Sequence, residues 1–274
     1  MLKLFVCSTM AVLACVPVLA SAQQTPPSSP HTVSGNEGIV SDYRYRGISQ
    51  TFRQPAIQGG IDYAHASGLY LGNWNSSVSG LSYANGAGVE MDFYGGWKRE
   101  LVKDTSLDIG LLQYYYPNAQ MVMGNGKTKY DTLELYAAVS YRWLNLKYSR
   151  TLSDYFGFTS NTMGGLCNRD GANCYGAAPG DSRGSGYLEI NANYELAPKL
   201  SFVAHIGHQK IRNYGKHDYT DYKLGVTYDM RGWLLGAAFV GTNADEKFYY
   251  LTDGAGRTRE TGKAAVVLSV GKTF

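Results

Sequence analysis

The sequence lacks the long apolar segments that a helical membrane protein needs. After residue 22 its longest apolar run extends from Trp233 to Gly241, too short to cross a bilayer as a helix. Charge is also low, with a formal net value of +3 over 274 residues and no basic cluster, so we expect no nucleic-acid partner. Glycine and tyrosine, by contrast, are abundant, at 33 and 23 residues. Glycine favours tight turns and close strand packing, and tyrosine favours water–lipid interfaces.

The amino terminus has the features of a cleaved export signal. Lys3 precedes an apolar run from Leu4 to Leu19, and Ala20-Ser21-Ala22 fits a small-x-small cleavage site. A membrane anchor would need a longer run and flanking charges. Lipoprotein processing at Cys15 is a further alternative, but the apolar run continues past that residue. We therefore predict a signal peptide over 1–22 and, because 23–36 is rich in Pro, Ser and Thr, a disordered periplasmic lead-in there.

Cysteine is scarce as well. Of four cysteines, Cys7 and Cys15 fall in the predicted signal peptide, which leaves Cys167 and Cys174. In the oxidising envelope we expect these two to form a disulfide that staples their polar loop. A metal site or a redox pair is the alternative, but no histidine is near in sequence and the spacing fits no zinc pattern.

The remaining chain, 37–274, alternates between apolar and polar residues with the period of β-strands. Val89, Met91, Phe93 and Gly95 share one face of a segment whose other face has Glu90. Such segments cover 38–46, 55–64, 68–77, 88–98, 105–115, 131–141, 143–150, 186–195, 199–209, 219–229, 232–241 and 263–274. We predict an all-β, antiparallel up-and-down transmembrane barrel of about twelve strands, with ten or fourteen as alternatives.

The connections favour a membrane barrel over a half-buried soluble sheet. Short links at 66–67, 98–104, 142, 196–198 and 230–231 alternate with long ones at 47–54, 78–87, 116–130, 151–185, 210–218 and 242–262. Short turns on one side and long loops on the other are typical of outer-membrane barrels, with the short turns in the periplasm. Twelve strands would place both ends of the barrel on that side.

Charges and aromatic residues segregate in the same way. The predicted interior-facing set, which we interpret as pore-lining, is Asp42, Arg44, Arg46, Asp62, Glu90, Asp92, Asp108, Glu134, Lys147, Glu189, Asp221 and Lys223. A lysine or arginine facing lipid at mid-depth costs roughly 2–4 kcal/mol, so this segregation is expected of a membrane barrel. A predicted periplasmic aromatic belt comprises Trp97, Tyr141, Trp143, Tyr194, Tyr228, Trp233 and Phe274.

The last strand ends on an aromatic residue. Val266, Leu268, Val270 and Phe274 share its apolar face, and we predict that they form the assembly signal read by barrel-assembly machinery. Lys272 is the one discordant residue on that face, and near the interface it can extend toward water.

Three stretches resemble a known family. They are SDYRYRGISQTFRQPAIQGGIDYAHASGLYLGNW (41–74), VEMDFYGGWK (89–98) and the ending VGKTF. Together they resemble the TorF-like porin family of proteobacteria, over nearly the whole mature chain. The resemblance implies an outer-membrane barrel in a Gram-negative bacterium with a pore function, and it supplies no catalytic residues.

We therefore expect a porin that passively conducts small hydrophilic solutes or ions. Acids outnumber bases in the pore-lining set, which predicts a mild cation preference. The charged wall could instead be a set of structural ion pairs. The loop over 151–185 could constrict the channel or cap it outside.

Two other function classes remain open. A surface adhesin or receptor could act through the tyrosine-rich loops. A barrel lipase or protease is the third, but His205 and His208 lie on opposite faces of their strand and no catalytic spacing accompanies them. We expect no enzyme activity and no cofactor. Expected partners are outer-membrane lipids, periplasmic chaperones and the barrel-assembly machinery, and the oligomeric state is open.

Overall fold

Twelve long antiparallel strands close into a barrel. The computed structural model describes residues 29–86, 88–123, 126–164, 175 and 179–274. The barrel strands are β1 (His31–Val40), β4 (Ala56–His65), β5 (Leu69–Ser77), β6 (Val89–Val102), β7 (Thr105–Tyr115), β10 (Thr132–Tyr141), β11 (Leu144–Thr151), β12 (Gly186–Ala197), β13 (Leu200–Lys210), β14 (Tyr219–Met230), β15 (Trp233–Thr242) and β18 (Ala265–Thr273). Each strand pairs with the next, and β18 pairs with β1 to close the ring. The predicted twelve-stranded barrel is confirmed.

Short elements lie between these strands. Three small hairpins join β2 (Arg44–Tyr45) to β3 (Ile48–Ser49), β8 (Gln120–Met123) to β9 (Gly126–Lys129), and β16 (Tyr250–Thr252) to β17 (Thr258–Glu260). Helix α1 covers Ser160–Met163 and a 3-10 turn covers Gly215–His217. None of the helices in the described ranges has the length and apolar character needed to cross a membrane.

The first strand was predicted in the wrong place. It covers 31–40 and pairs with β18 and β4, whereas 38–46 was expected. The alternation of Asp42, Arg44 and Arg46 with two tyrosines resembles a strand, but those residues enter the barrel interior as a loop. The true strand has mostly small and polar residues and so a weak signal. The disordered lead-in is therefore wrong for 31–36, while the signal peptide and residues 23–28 lie outside the described residues.

The connections alternate as predicted. Tight turns such as those at Gly68, Arg142 and Arg231, all with positive φ, join strands at one end of the barrel. The opposite end has six long loops, named here L1 (41–55), L2 (78–88), L3 (116–131), L4 (152–185), L5 (211–218) and L6 (243–264). Cys167 and Cys174 lie in the part of L4 outside the described residues, so the disulfide stays a prediction.

The two faces of the wall differ in chemistry. Outward positions are exposed and apolar, for example Ile57, Leu71, Leu188 and Val266. All predicted belt residues lie at the tight-turn ends, where Trp143 packs edge-on against Tyr194 and Trp97 donates to the carbonyl of Ser67. Val266, Leu268 and Phe274 are exposed, as their predicted outward phase requires, whereas Val270 is half-buried on the same face.

Lys272 is accommodated by two outward neighbours. Its ammonium group lies 5.3 Å from the ring centre of Trp233, and its cross-strand partner on β1 is Glu37. A cation over an aromatic face, next to a carboxylate and near the strand end, avoids the cost of an isolated charge on an apolar surface.

Candidate functional site: the barrel interior

The first loop folds into the barrel rather than away from it. β2 and β3 form a hairpin whose turn residues, Arg46 and Gly47, have φ values of 46° and 79°. Positive φ at both central residues is what a two-residue type I′ turn requires. Asp42 holds the base of the loop, because its Oδ1 accepts from Ser49 at 2.6 Å and its Oδ2 from Arg44 at 2.6 Å.

This loop crosses the interior from wall to wall. On one side the Tyr43 hydroxyl donates to Glu90 of β6 at 2.5 Å. On the other side, a Cβ atom added to Gly47 would lie 2.4 Å from Thr242 Cγ2 and 2.7 Å from Asp221 Cβ. Since β6 and β14 are far apart in the ring order, L1 spans the interior at its long-loop half.

Arg46 anchors the tip of L1. Its Nη2 donates to both Glu134 oxygens, at 2.7 and 3.0 Å, and its Nη1 donates to Gln209 at 2.6 Å. The guanidinium also stacks 4.1 Å from the ring centre of Tyr187. Glu134, Gln209 and Tyr187 belong to β10, β13 and β12, so one side chain contacts three strands of the wall. Both partners of the ion pair are almost fully buried.

Arg44 connects L1 to the last loop. Its Nη1 donates to the carbonyls of Gly47, Thr261 and Lys263 at 3.0 to 3.1 Å. Gln50 connects L1 to L2, because the backbone carbonyl of Gln50 accepts a hydrogen bond from the Ser79 amide at 2.9 Å. L1 is therefore fixed by neighbours on all sides.

Aromatic residues fill the space around L1. Tyr45 donates to the Tyr114 hydroxyl at 3.2 Å and packs edge-on against Phe156, a residue of L4. Tyr116 donates to the second oxygen of Glu90 at 2.7 Å. The described part of L4 thus reaches inward, as one of its two predicted alternatives required, and its Phe156 packs on L1.

A separate cluster covers the outer end, around His217 of L5. Its Nδ1 lies 2.6 Å from the Tyr175 hydroxyl, and the rings of Phe158, Phe248 and Tyr249 surround it. Burial lowers the pKa of His217 to about 3, with Asp245 opposing that shift. The imidazole is therefore neutral at physiological pH.

The tight-turn half of the interior is more open and polar. Asp62, Asn145, Asn193 and Ser269 retain partial exposure there, as Lys223 does nearer L1, whereas most inward residues at the level of L1 are buried. Asp62 accepts from Tyr94, and Asp108 accepts from Tyr70 at 2.6 Å. Lys147 lies over the ring of Tyr136. Each of these carboxylates is hydrogen-bonded to a tyrosine two strands away along the wall.

His205 lies at the centre of a network on β12–β14. Its Nε2 is 2.8 Å from Asp221 Oδ1, and its Nδ1 is 2.7 Å from the side-chain oxygen Oδ1 of Asn191. Tyr187 donates to the other Asp221 oxygen at 2.8 Å, and Glu189 lies 3.6 Å from Nδ1. Both ring nitrogens therefore face oxygen atoms, and no described serine hydroxyl hydrogen-bonds to the ring. His208 faces outward, opposite His205, as predicted.

The predicted interior set is placed as follows. The nine strand residues, namely Asp62, Glu90, Asp92, Asp108, Glu134, Lys147, Glu189, Asp221 and Lys223, all face inward. Asp42, Arg44 and Arg46 lie inside the barrel too, but on L1 instead of the first strand. Their role in conduction stays a prediction.

Sequence reasoning missed three interior residues. Lys98 continues the inward phase of β6 and pairs across the sheet with Asp108, a signal that the strand alternation already contained. Gln209 and His205 were not in the predicted set, because their partners come from other strands and from L1. Within the described ranges, no group of three or more His, Cys, Asp or Glu residues is arranged to hold a metal ion.

Comparison with known proteins identifies the family. The sequence matches Gcw_chp, described as a bacterial protein of unknown function, over residues 24–274. The chain belongs to this family. A comparison with curated proteins found no match.

Comparison with solved structures found several similar chains. A KdgM porin has a TM-score of 0.47 and 8% identity, covering 88% of this chain and 97% of that one. A NanC porin has 0.47 and 10%, covering 89% and 99%. The COG4313 outer membrane channel from Pseudomonas putida F1 has 0.45 and 12%, covering 92% and 100%. These similarities are too distant to assign a function.

Proposed function

We propose that this protein is an outer-membrane porin that passively conducts small hydrophilic solutes or ions. The observation that carries the proposal is a closed barrel with an apolar outer face and a charged, partly accessible interior. A soluble barrel would need the reverse arrangement, or a filled apolar core. The resemblance to TorF-like porins supports the same proposal.

The orientation follows from the two ends. Outer-membrane barrels have short turns in the periplasm and long loops outside, and an aromatic belt marks an interface. The tight-turn end, with Trp143 and Trp233, is accordingly the periplasmic end, and L1 to L6 are extracellular. The proposed assembly route uses an export signal over 1–22, periplasmic chaperones, and barrel-assembly machinery that reads Val266, Leu268, Val270 and Phe274.

L1 is the proposed constriction. Charged side chains that line a narrow passage select what enters it, and the contact of Arg46 with Glu134 lies at that level. Below L1 the interior is more accessible, since Glu189, Lys223 and, nearer the periplasm, Asp62 are partly exposed. Conduction at this level requires either a narrow path beside L1 or movement of L1.

A mild cation preference accompanies the proposal. Eight interior acids face four interior bases in the predicted set, and Lys98 adds one further base. The local field inside the barrel, and not the overall charge of +3, governs which ions enter.

Bilayer conductance is the test. Purified protein that shows heat-modifiable migration, and is therefore folded, should give discrete current steps in a planar bilayer. Folded protein with no steps over repeated insertions would contradict the porin and favour an adhesin or receptor. Esterase and protease assays, with His205→Ala and His208→Ala as paired variants, address the enzyme class. Activity lost only in His205→Ala would favour an enzyme.

A further inference from the structure

One part of the outer rim is positively charged. In the extracellular half of the described barrel strands, the only basic residues at outward positions are Arg150 on β11 and Lys210 on β13. The corresponding outward residues on neighbouring strands, such as Tyr115, Leu133 and Thr220, are uncharged. A charged side chain that faces hydrocarbon is costly, so Arg150 and Lys210 require polar groups near them.

The strand register brings the two charges together. Arg150 and Lys210 both pair with Gly186 of β12, so they flank a residue with no side chain in a single cross-strand row. The hydroxyl of Tyr148 lies over that glycine, 2.6 Å from where its Cβ would be. The row therefore has a cation on each side of the Tyr148 hydroxyl.

Two further arginines complete the cluster. Arg150 Nη2 and Arg212 Cδ lie 3.3 and 3.8 Å from the position that a Cβ of Gly184 would take. Arg212 Nη1 donates to the carbonyl of Arg183 at 3.0 Å, which places the backbone of that residue in the group. All four basic side chains are exposed. We call Arg150, Arg183, Lys210 and Arg212 the basic rim.

The charge of the basic rim is incompletely balanced. Asp181 lies 3.7 Å from Arg212, and Asp218 interacts with Lys210 at longer range. Among the described residues, neither Arg150 nor Lys210 forms an ion pair. Among the described residues, two acids against four bases leave an excess positive charge, and Arg150 and Lys210 carry their share of it on the outward face of the wall.

Directly below the basic rim is an exposed apolar surface formed by Leu146, Tyr148, Leu188, Ile190 and Ile206. A ligand that fits both parts has negative groups at the level of the strand ends and hydrocarbon chains beneath them. Arginine binds phosphate through paired N–H donors, and basic pockets at membrane boundaries bind anionic headgroups.

We propose that the basic rim binds the phosphate groups of lipopolysaccharide in the outer leaflet. This inference rests on the proposed outer-membrane orientation. Bound lipid would tie β11, β12 and β13 to L4 and L5 at the outer end of the barrel.

The test titrates purified lipopolysaccharide into folded protein in detergent and follows the increase in thermal unfolding temperature. Arg150→Gln/Lys210→Gln should weaken the apparent affinity about tenfold, since paired phosphate contacts are lost. Arg99→Gln/Lys272→Gln is the matched control, because it removes two outward charges at the periplasmic end and should bind like the wild type. Dephosphorylated lipopolysaccharide should bind the wild type as weakly as the intact lipid binds the rim variant.

Equal affinity of the rim variant and the wild type would overturn the proposal, as would equal affinity for the dephosphorylated lipid. Free phosphate that competes at millimolar concentration would assign the site to the phosphate ion alone and would also overturn it. Conductance of the same preparations separates the two proposals. Folded protein that conducts but shows no phosphate-dependent binding rejects only the lipid site, whereas folded protein that never conducts rejects the porin.

Discussion

Arg46 of L1 and Glu134 of β10 form an ion pair inside the barrel, in which Nη2 of Arg46 lies 2.7 and 3.0 Å from the two carboxylate oxygens. Both side chains are almost fully buried. Removing one partner of a buried pair leaves an uncompensated charge, at a cost of about 3–5 kcal/mol if the structure does not relax. In a barrel the loop can relax by leaving the interior, so this pair holds L1 in place.

Breaking this contact should widen the channel. Arg46→Gln and Glu134→Gln are each expected to raise single-channel conductance by roughly twofold or more, because L1 loses its anchor at the constriction. The double variant should resemble the single ones, since both remove the same contact. Glu37→Gln is the control, because it removes one carboxylate from the outward face of the wall and should leave conductance unchanged. Unchanged conductance in all variants would place the constriction elsewhere.

A bulky residue at Gly47 should displace L1 by a different route. Its Cβ would overlap Thr242 and Asp221, and its φ of 79° disfavours any side chain. Gly47→Val should therefore expose the bond after Arg46 to trypsin, detected by mass spectrometry of folded protein. Gly80→Val is the control, because nothing lies within 4 Å of its added Cβ. Protection of that bond in Gly47→Val would contradict the insertion of L1.

Much of this architecture could be read from the sequence, but the position of L1 could not. Eleven strands followed from period-two alternation, because a wall with one apolar and one polar face imposes that period. The segment from Asp42 to Arg46 has the same local alternation, and only its contacts with Glu90, Glu134 and Gln209 distinguish an inserted hairpin from a strand. Those partners are far apart in sequence, so no local pattern reveals them. The inward orientation of nine charged strand residues was predictable, because it follows from the local alternation within each strand and not from contacts distant in sequence.

Ion selectivity should follow the partly exposed interior charges below L1. Glu189→Gln should shift the reversal potential under a salt gradient toward anions, and Lys223→Gln should shift it toward cations, because each changes the local field on the path beneath L1. The wild type should favour cations mildly. A clear anion preference of the wild type would contradict the charge count on which this expectation depends.

Closure of the barrel should depend on the last residue. The Phe274 amide donates to Gly35 at 2.9 Å and its carbonyl accepts from the same residue at 2.8 Å, while its ring covers the Gly35 backbone. Phe274→Ala should therefore lower the heat-modifiable, folded fraction when assembly takes place in cells. Phe239→Ala removes an outward aromatic ring away from the seam and should assemble normally. Equal loss in both variants would indicate a general effect of apolar area.

Acidification should loosen the outer loops through His217. Its pKa is lowered to about 3 in the folded protein, against about 6.5 when exposed. Between these values the unfolded loop binds a proton and the folded one does not, so stability is lost as pH falls below about 6.5. At pH 5 the loss is about 2 kcal/mol, from 1.36 kcal/mol per unit over about 1.5 units. Asp245, Tyr175 and Tyr249 face the ring, and the carboxylate of Asp245 reduces the loss.

Hydrogen exchange of L5 measures this effect directly. Between pH 7 and pH 5, after correction for the intrinsic pH dependence of exchange, protection of residues 211–218 should fall in the wild type. In His217→Gln, which cannot gain a proton in this range, protection should be lower at pH 7 but should not change with pH. Burial raises the pKa values of Tyr175 and Tyr249, so neither titrates between pH 5 and 7. A pH response that persists in His217→Gln would therefore assign the switch to Asp218 instead, whose carboxyl pKa is raised by burial.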